Sequence, residues 1–140
     1  MELSDLDPIL DENQVGVLTT FRRDGRPQMS PVTTRTYQGR LALTTQRRSA
    51  KARNLVRDPR CAILLSRTNF RGYAVVDGDA EVRGSHNTDS EELRLLLREV
   101  YRAAAGKEHP DWDEYDQAMV EQDRVVILIE PSRIYGTSTS

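Results

Sequence analysis

The residues best suited to chemistry sit in one stretch, Gln46 to Pro59, QRRSAKARNLVRDP. Ser49 is a good N-cap residue, and Pro59 stops the predicted helix by forcing Asp58 out of the α region. Between them Ala52, Leu55 and Val56 recur at i, i+3 and i+4, which predicts one apolar face with Arg53, Asn54 and Arg57 opposite. Lys51 falls in the first turn, where backbone N–H groups are unpaired and the positive end of the helix dipole is exposed. Arg47 and Arg48 lie on the lead-in. Together these groups outline an anion site. The same local pattern also fits a helix whose arginines are simply solvated, so the rest of the charge has to be weighed.

That charge is polarised. From Arg22 to Arg71 there are 13 Lys and Arg against two acids, Asp24 and Asp58, a balance of +11. Residues 1–21 carry −5 and residues 72–140 carry −8, within a net charge of −2. A field of this kind favours a polyanionic ligand: a phosphorylated cofactor, a nucleic acid or a poly-acidic tail.

No catalytic constellation accompanies the anion site. G-x-S-x-G, the P-loop and G-x-G-x-x-G are all missing, and His86 and His109 fall in polar turns where solvent exposure is expected. Asp111, Asp113, Glu114 and Asp116 crowd a helix start, which the dipole explains, and no His or Cys sits at ligand spacing, so no metal is expected. Cys61 opens the apolar run CAILLS and reads as a buried structural thiol. Reactivity therefore has to come from a bound cofactor.

The positioning elements follow from pattern. Ser4 to Glu12 predicts a short helix capped by Ser4. Gly16 to Arg22 and Pro27 to Thr36 are extended runs joined by the Asp24-Gly25 turn, a hairpin, in which Pro31 marks an edge or a bulge. Arg40 to Thr45 leads into the basic helix. Cys61 to Ser66 reads as a strand buried on both sides, and Tyr73 to Arg83 as a long strand kinked at Gly78. Asp89 to Ala105 carries Leu93, Leu96, Leu97, Val100 and Tyr101 at helical spacing, with Thr88 or Asp89 as cap and Gly106 as stop. A second helix lies within His109 to Gln122. Val125 to Glu130 is a last buried strand that Pro131 ends, with Arg133 to Gly136 a further edge strand. Five strands in the first 84 residues, mostly on tight turns, argue for an antiparallel barrel.

The 140 residues suit one domain with a single core, the last few (137–140) forming a flexible tail. No run approaches the ~20 apolar residues of a membrane span, and MELSDLDPIL lacks a signal peptide's basic start, so a cytoplasmic protein without membrane contact is expected. Nucleic acid is disfavoured as a partner, because Phe21, Tyr37, Phe70 and Tyr73 are too scattered to form a stacking platform.

The succession GVLTT, DGRPQMSPV, LALTT, SAKARNLVRDPR, YAVVDGDAEV and the late segment containing WDEYDQAM resembles the pyridoxamine-phosphate-oxidase-like flavin-binding split β-barrels, and most of all their actinobacterial deazaflavin-dependent branch. The resemblance implies a mostly β (α+β) fold, a six- to seven-stranded antiparallel split barrel with flanking helices, forming a homodimer with cofactor at the interface. It implies that Ser49 and Lys51 hold the cofactor phosphate, assisted by Arg53 and Asn54. Gln28, Ser30, Pro31 and Val32 would lie along the ring, Thr44 and Thr45 beside the phosphate chain, and Tyr73 and Arg71 would reach the ring from the partner subunit. A balance of +11 exceeds what one phosphate requires, so coenzyme F420, with its phosphodiester and poly-glutamate tail, is expected over flavin mononucleotide (FMN). The expected activity is hydride transfer from reduced F420 to a small organic acceptor; an FMN-dependent enzyme and a non-catalytic cofactor carrier are the alternatives.

Overall fold

Hairpins close where the sequence places residues that accept positive φ: Gly25 at 83° between the first two strands, and Gln38 and Gly39 at 49° and 78° in a two-residue turn. A computed structural model describes residues 1–137 and contains β1 (Val15–Phe21), β2 (Pro27–Thr33), β3 (Arg35–Tyr37), β4 (Arg40–Gln46), β5 (Arg60–Ser66), β6 (Tyr73–Arg83) and β7 (Arg124–Gly136). The helices are α1 (Asp7–Glu12), α2 (Ala50–Arg57), α3 (Ser90–Ala105) and α4 (Trp112–Glu121). The strands form one antiparallel sheet in the order β2-β1-β5-β6-β7-β4-β3, curled into a half-barrel. The mostly β fold expected from sequence is therefore the one observed.

Two cores hold it together. Leu18, Leu41, Leu43, Ile63, Leu65, Val76, Ile127 and Ile129 fill the inside of the curled sheet, closed by Leu6, Ile9 and Leu10 of the N-terminal segment. On the other face of β4 and β7, Ala42, Val126 and Leu128 pack against Leu93, Leu97 and Val100 of α3. The outer face of the remaining strands is apolar yet uncovered: Pro31, Val17, Leu64, Val75 and Tyr135 are direct cross-strand neighbours in a row across five strands.

Several details differ from the expectations. Ser4 is not a cap; Glu2 caps a 3-10 turn, Leu3–Leu6, through a reciprocal box with Asp5. The run from Pro27 to Thr36 is two strands, broken at buried Thr34, whose hydroxyl donates to the Ala42 carbonyl at 2.9 Å. That break sends β2 and β3 to opposite edges of the sheet. Pro31 stands in unbroken register opposite Val17, so of its two readings the edge holds and the bulge does not. Residues 61–66 are buried on one face only, with Ala62 and Leu64 half-exposed on the outer one.

Pro131 does not end the last strand. β7 runs on to Gly136 paired with β6 alone, since β4 pairs only as far as Ile129, and the register shift at Asp77/Gly78 leaves Ser132 as the extra residue, so the missing proline N–H falls at a bulge. The kink at Gly78 is as expected, since a Cβ there would collide with the Glu130 carbonyl. Of the expected flexible tail, Thr137 is tied down, its N–H donating to the Tyr73 carbonyl at 3.0 Å; residues 138–140 lie outside the described residues.

Candidate functional site

α2 starts as its sequence requires. Ser49 has extended backbone angles, its Oγ accepts from the Ala52 N–H at 3.3 Å, and the Thr45 hydroxyl donates to it at 3.3 Å. The Ser49 Oγ thus accepts in both contacts, and among the described residues its hydroxyl donates to none. Ala52 and Leu55 are buried as expected, but Val56 is 61% exposed. The larger correction is Asn54, which points inward and is 6% exposed. Its amide donates to Thr20 Oγ1 and Gln28 Oε1, both at 3.1 Å, and its oxygen accepts from Arg57 Nη2 at 2.8 Å. Arg57 also donates to the Phe21 carbonyl at 2.7 Å. The asparagine thus ties α2 to β1 and β2, with both amide hydrogens used inside the fold.

Two cavities flank the first turn of α2. The smaller, about 440 Å³, runs between β2, β4 and α3 and is lined by Pro31, Val32, Thr44, Thr45 and Lys51, five of the twelve residues expected at the site. Tyr101, Tyr115, Met119 and Arg124 are also part of its wall. Lys51 makes no ion pair or hydrogen bond among the described residues. The larger cavity, about 770 Å³, gathers Arg22, Arg23, Arg47, Arg48, Arg53 and Arg57 with Gln28 and Asn54. Its carboxylate is Asp123, 3.9 Å from Arg47. The remaining arginines of the basic half are mostly committed elsewhere: Arg35 to Asp11, Arg40 to Glu81, Arg60 to Asp58 and Arg67 to Glu12. Six guanidinium groups around one cavity repel one another, an arrangement that an anion relieves.

Of the other expected residues, Ser49 caps the helix between the two cavities, and Ser30 faces the barrel interior opposite Leu18. Arg71 and Tyr73 line neither cavity of this chain. They sit where the Arg67–Gly72 loop enters β6, with Phe70 at the tip 73% exposed.

The family model for pyridoxamine 5′-phosphate oxidase matches residues 4–138. The chain belongs to that family. Solved structures bear out its fold. A conserved hypothetical protein from Mycobacterium tuberculosis is 23% identical with a TM-score of 0.78, over 99% of this chain and 86% of that one. A protein described as an F420 reductase is 22% identical, TM-score 0.62, over 92% and 94%. A pyridoxamine 5′-phosphate oxidase-related, FMN-binding protein from Nostoc punctiforme is 17% identical, TM-score 0.67, over 94% and 79%.

In this member of the pyridoxamine 5′-phosphate oxidase family, the cavity walls include groups that no local sequence signal marks. Arg124 reaches the Thr44 carbonyl at 3.4 Å across 80 positions of sequence. Tyr101, His109, Trp112 and Tyr115 form a ring cluster with centroids 5.1–5.7 Å apart, and Arg98 and Arg102 lie over Trp112 at 5.1 and 4.7 Å. His109 is accordingly half-buried, contrary to expectation, and accepts from the Asp111 N–H at 2.9 Å; His86 is exposed as expected. The acids nearby are also placed. Asp111 caps α4, while Asp116 is bound by Arg98 and Arg94, which hold its carboxyl below the usual carboxylate range. For Asp116 the cause is ion pairing and not the helix dipole.

Burial pushes the Cys61 thiol up to about 12, with Asp79 and Asp77 adding to the shift, and the thiol donates to the Gly78 carbonyl at 3.6 Å. Burial likewise pushes Tyr115 up to about 12, and burial with the Glu99 hydrogen bond does so for Tyr37. A pKa raised on folding means that the native state holds its proton more tightly. For Cys61 stability is therefore complete below about 9 and is lost as pH rises towards 12. Cys61→Ala flattens the alkaline limb of a pH–stability curve measured by thermal melting. Fast reaction of the native thiol with a disulfide reagent at neutral pH would contradict this assignment.

Proposed function

We propose that this chain is an F420-dependent oxidoreductase that passes a hydride from the reduced deazaflavin to a small organic acceptor. The observation that carries this reading is the pair of cavities on either side of the α2 start. The smaller one fits the ring and phosphate: Lys51 is an unpaired cation on its wall, Ser49 retains a hydroxyl hydrogen, and β2 is an edge strand whose outward backbone groups are free to hydrogen-bond a ring edge. The larger one fits a flexible chain of carboxylates. FMN has one phosphate and would leave the six arginines around that cavity with Asp123 as the carboxylate in its wall.

When bound, the coenzyme supplies the hydride; the protein binds, orients and excludes water. Lys51 and Ser49 hold the phosphate, and Arg53 adds charge beside it. Asn54 contributes by locking α2 onto β1 and β2, and so fixes Gln28, Ser30, Pro31 and Val32 relative to the helix. Thr44 and Thr45 line the phosphate chain. Tyr115, whose hydroxyl donates to the Leu97 carbonyl at 2.9 Å, stays protonated and stiffens the opposite wall.

The reading includes a homodimer. The apolar row from Pro31 to Tyr135 is the kind of face a second copy covers, and in this reading the Arg71 and Tyr73 segment serves the ring of the other subunit. Sedimentation at micromolar concentration should return twice the chain mass. Titration separately with F420 and FMN decides the cofactor, with tight F420 binding and weak FMN binding expected; the reverse order would replace this reading with the FMN enzyme. Lys51→Ala should cost about 1–3 kcal/mol of F420 affinity, read in the same titration, while leaving the melting temperature unchanged.

A further inference from the structure

We propose that the cleft between α3 and α4 is the acceptor site, taking an apolar molecule with one anionic group that Arg124 receives. The cleft has a volume of about 490 Å³ and a floor of Leu93, Leu97, Met119 and Val120, the last 80% exposed. It adjoins the smaller cavity, since Met119 and Arg124 line both. The side chains of Met119 and Arg124 are thus a wall common to the cleft and to the space assigned to the ring.

Arg124 is the group that favours an anion, because the other charges lining the cleft are paired. Glu91 and Asp116 also line the cleft, but Arg94 pairs with both and Arg98 with Asp116. Asp123 accepts from the Ser85 hydroxyl at 3.0 Å and lies 3.9 Å from Arg47. Arg124 is different: its Nε donates to Gln122 Oε1 at 2.9 Å and its Nη1 to the Thr44 carbonyl at 3.4 Å, both neutral oxygens, and it has no carboxylate partner among the described residues. It is half-buried between an apolar floor and the cofactor cavity. A guanidinium so held, with an Nη2 that makes no hydrogen bond among the described residues, is satisfied by a carboxylate or sulfonate on the ligand.

The role as acceptor site rests on the proposed F420 function; the binding chemistry does not. The probes are anilinonaphthalene sulfonate, an apolar monoanion, and neutral phenylnaphthylamine, each titrated by calorimetry into free protein and into protein saturated with F420. Both should bind once per chain. Arg124→Gln should weaken the sulfonate at least about tenfold and leave the neutral probe within about twofold. Val120→Asp, at an exposed position that folding tolerates, should weaken the sulfonate about fivefold or more by opposing its charge. Displacement of the sulfonate by F420, or equal affinity in wild type and Arg124→Gln, overturns the proposal. Coenzyme binding is measured in its own titration, so a failure there removes the F420 function while the sulfonate result on free protein still judges the cleft.

Discussion

Asn54→Leu lowers the unfolding free energy by about 2–4 kcal/mol, because one substitution takes the hydrogen-bond partner from buried Thr20 and half-buried Gln28 and removes a buried amide tie between α2, β1 and β2. The side chains are close in volume, so cavity formation contributes little. What is lost is the pair of 3.1 Å hydrogen bonds to Thr20 and Gln28 and the 2.8 Å bond from Arg57. Thr20 is fully buried and cannot turn to water. Urea unfolding followed by circular dichroism measures the change, and a loss below about 0.5 kcal/mol would show that the amide is not the tie described here. Because α2 and β2 are joined through this residue, F420 affinity should fall with it, and Asn54→Asp should restore part of the stability by keeping the acceptor for Arg57.

Replacing Arg47, Arg48 and Arg53 together by Gln removes the preference for a long tail. The three are exposed, and none supports the fold: Arg47 has a 3.9 Å contact to Asp123, and Arg48 donates to Gln46. Arg57 is left intact because it holds Asn54 and the Phe21 carbonyl. Exposed pairs contribute up to ~1 kcal/mol each, so affinity for F420 carrying several glutamates should fall by about 2 kcal/mol, roughly thirtyfold. The tail-free form of the coenzyme should lose only the smaller share that Arg53 contributes beside the phosphate. The salt dependence of long-tail binding should flatten as well. Equal losses for both forms would assign the arginines to the phosphate and take away the argument for F420 over FMN.

The local elements were legible because their signals are short-range. The Ser49 cap, the Gly106 stop at φ 70°, the Asp24-Gly25 turn and the Gly78 kink depend on a few neighbouring residues and came out as read. Errors arose where a position's environment is set by distant chain. Pro131 looked like a terminator because proline lacks an N–H, but the bulge at Ser132 lets the strand continue past it. Asn54 looked exposed because helical periodicity places it beside Arg53 and Arg57, and only the approach of Thr20 and Gln28 from 34 and 26 residues away turns it into a buried tie. His109 looked solvent-exposed in its loop, and three aromatic rings from α3 and α4 half-bury it.

The sequence by itself determined the element order, the capped basic helix and the charge polarity, since each is a property of residues close together in the chain. It also carried the family, because those elements recur in a fixed succession over residues 4–138. The tertiary structure decided where the charge goes. Thirteen cations between residues 22 and 71 could have ringed the barrel; instead acids from α1, β6 and the α2–β5 junction take four of the arginines, and six more converge on one cavity. It also brought Arg124 to Thr44, because sheet closure pairs the end of β4 with the start of β7. Periodicity fixes which face a side chain takes within its own element, and only packing fixes what that face meets.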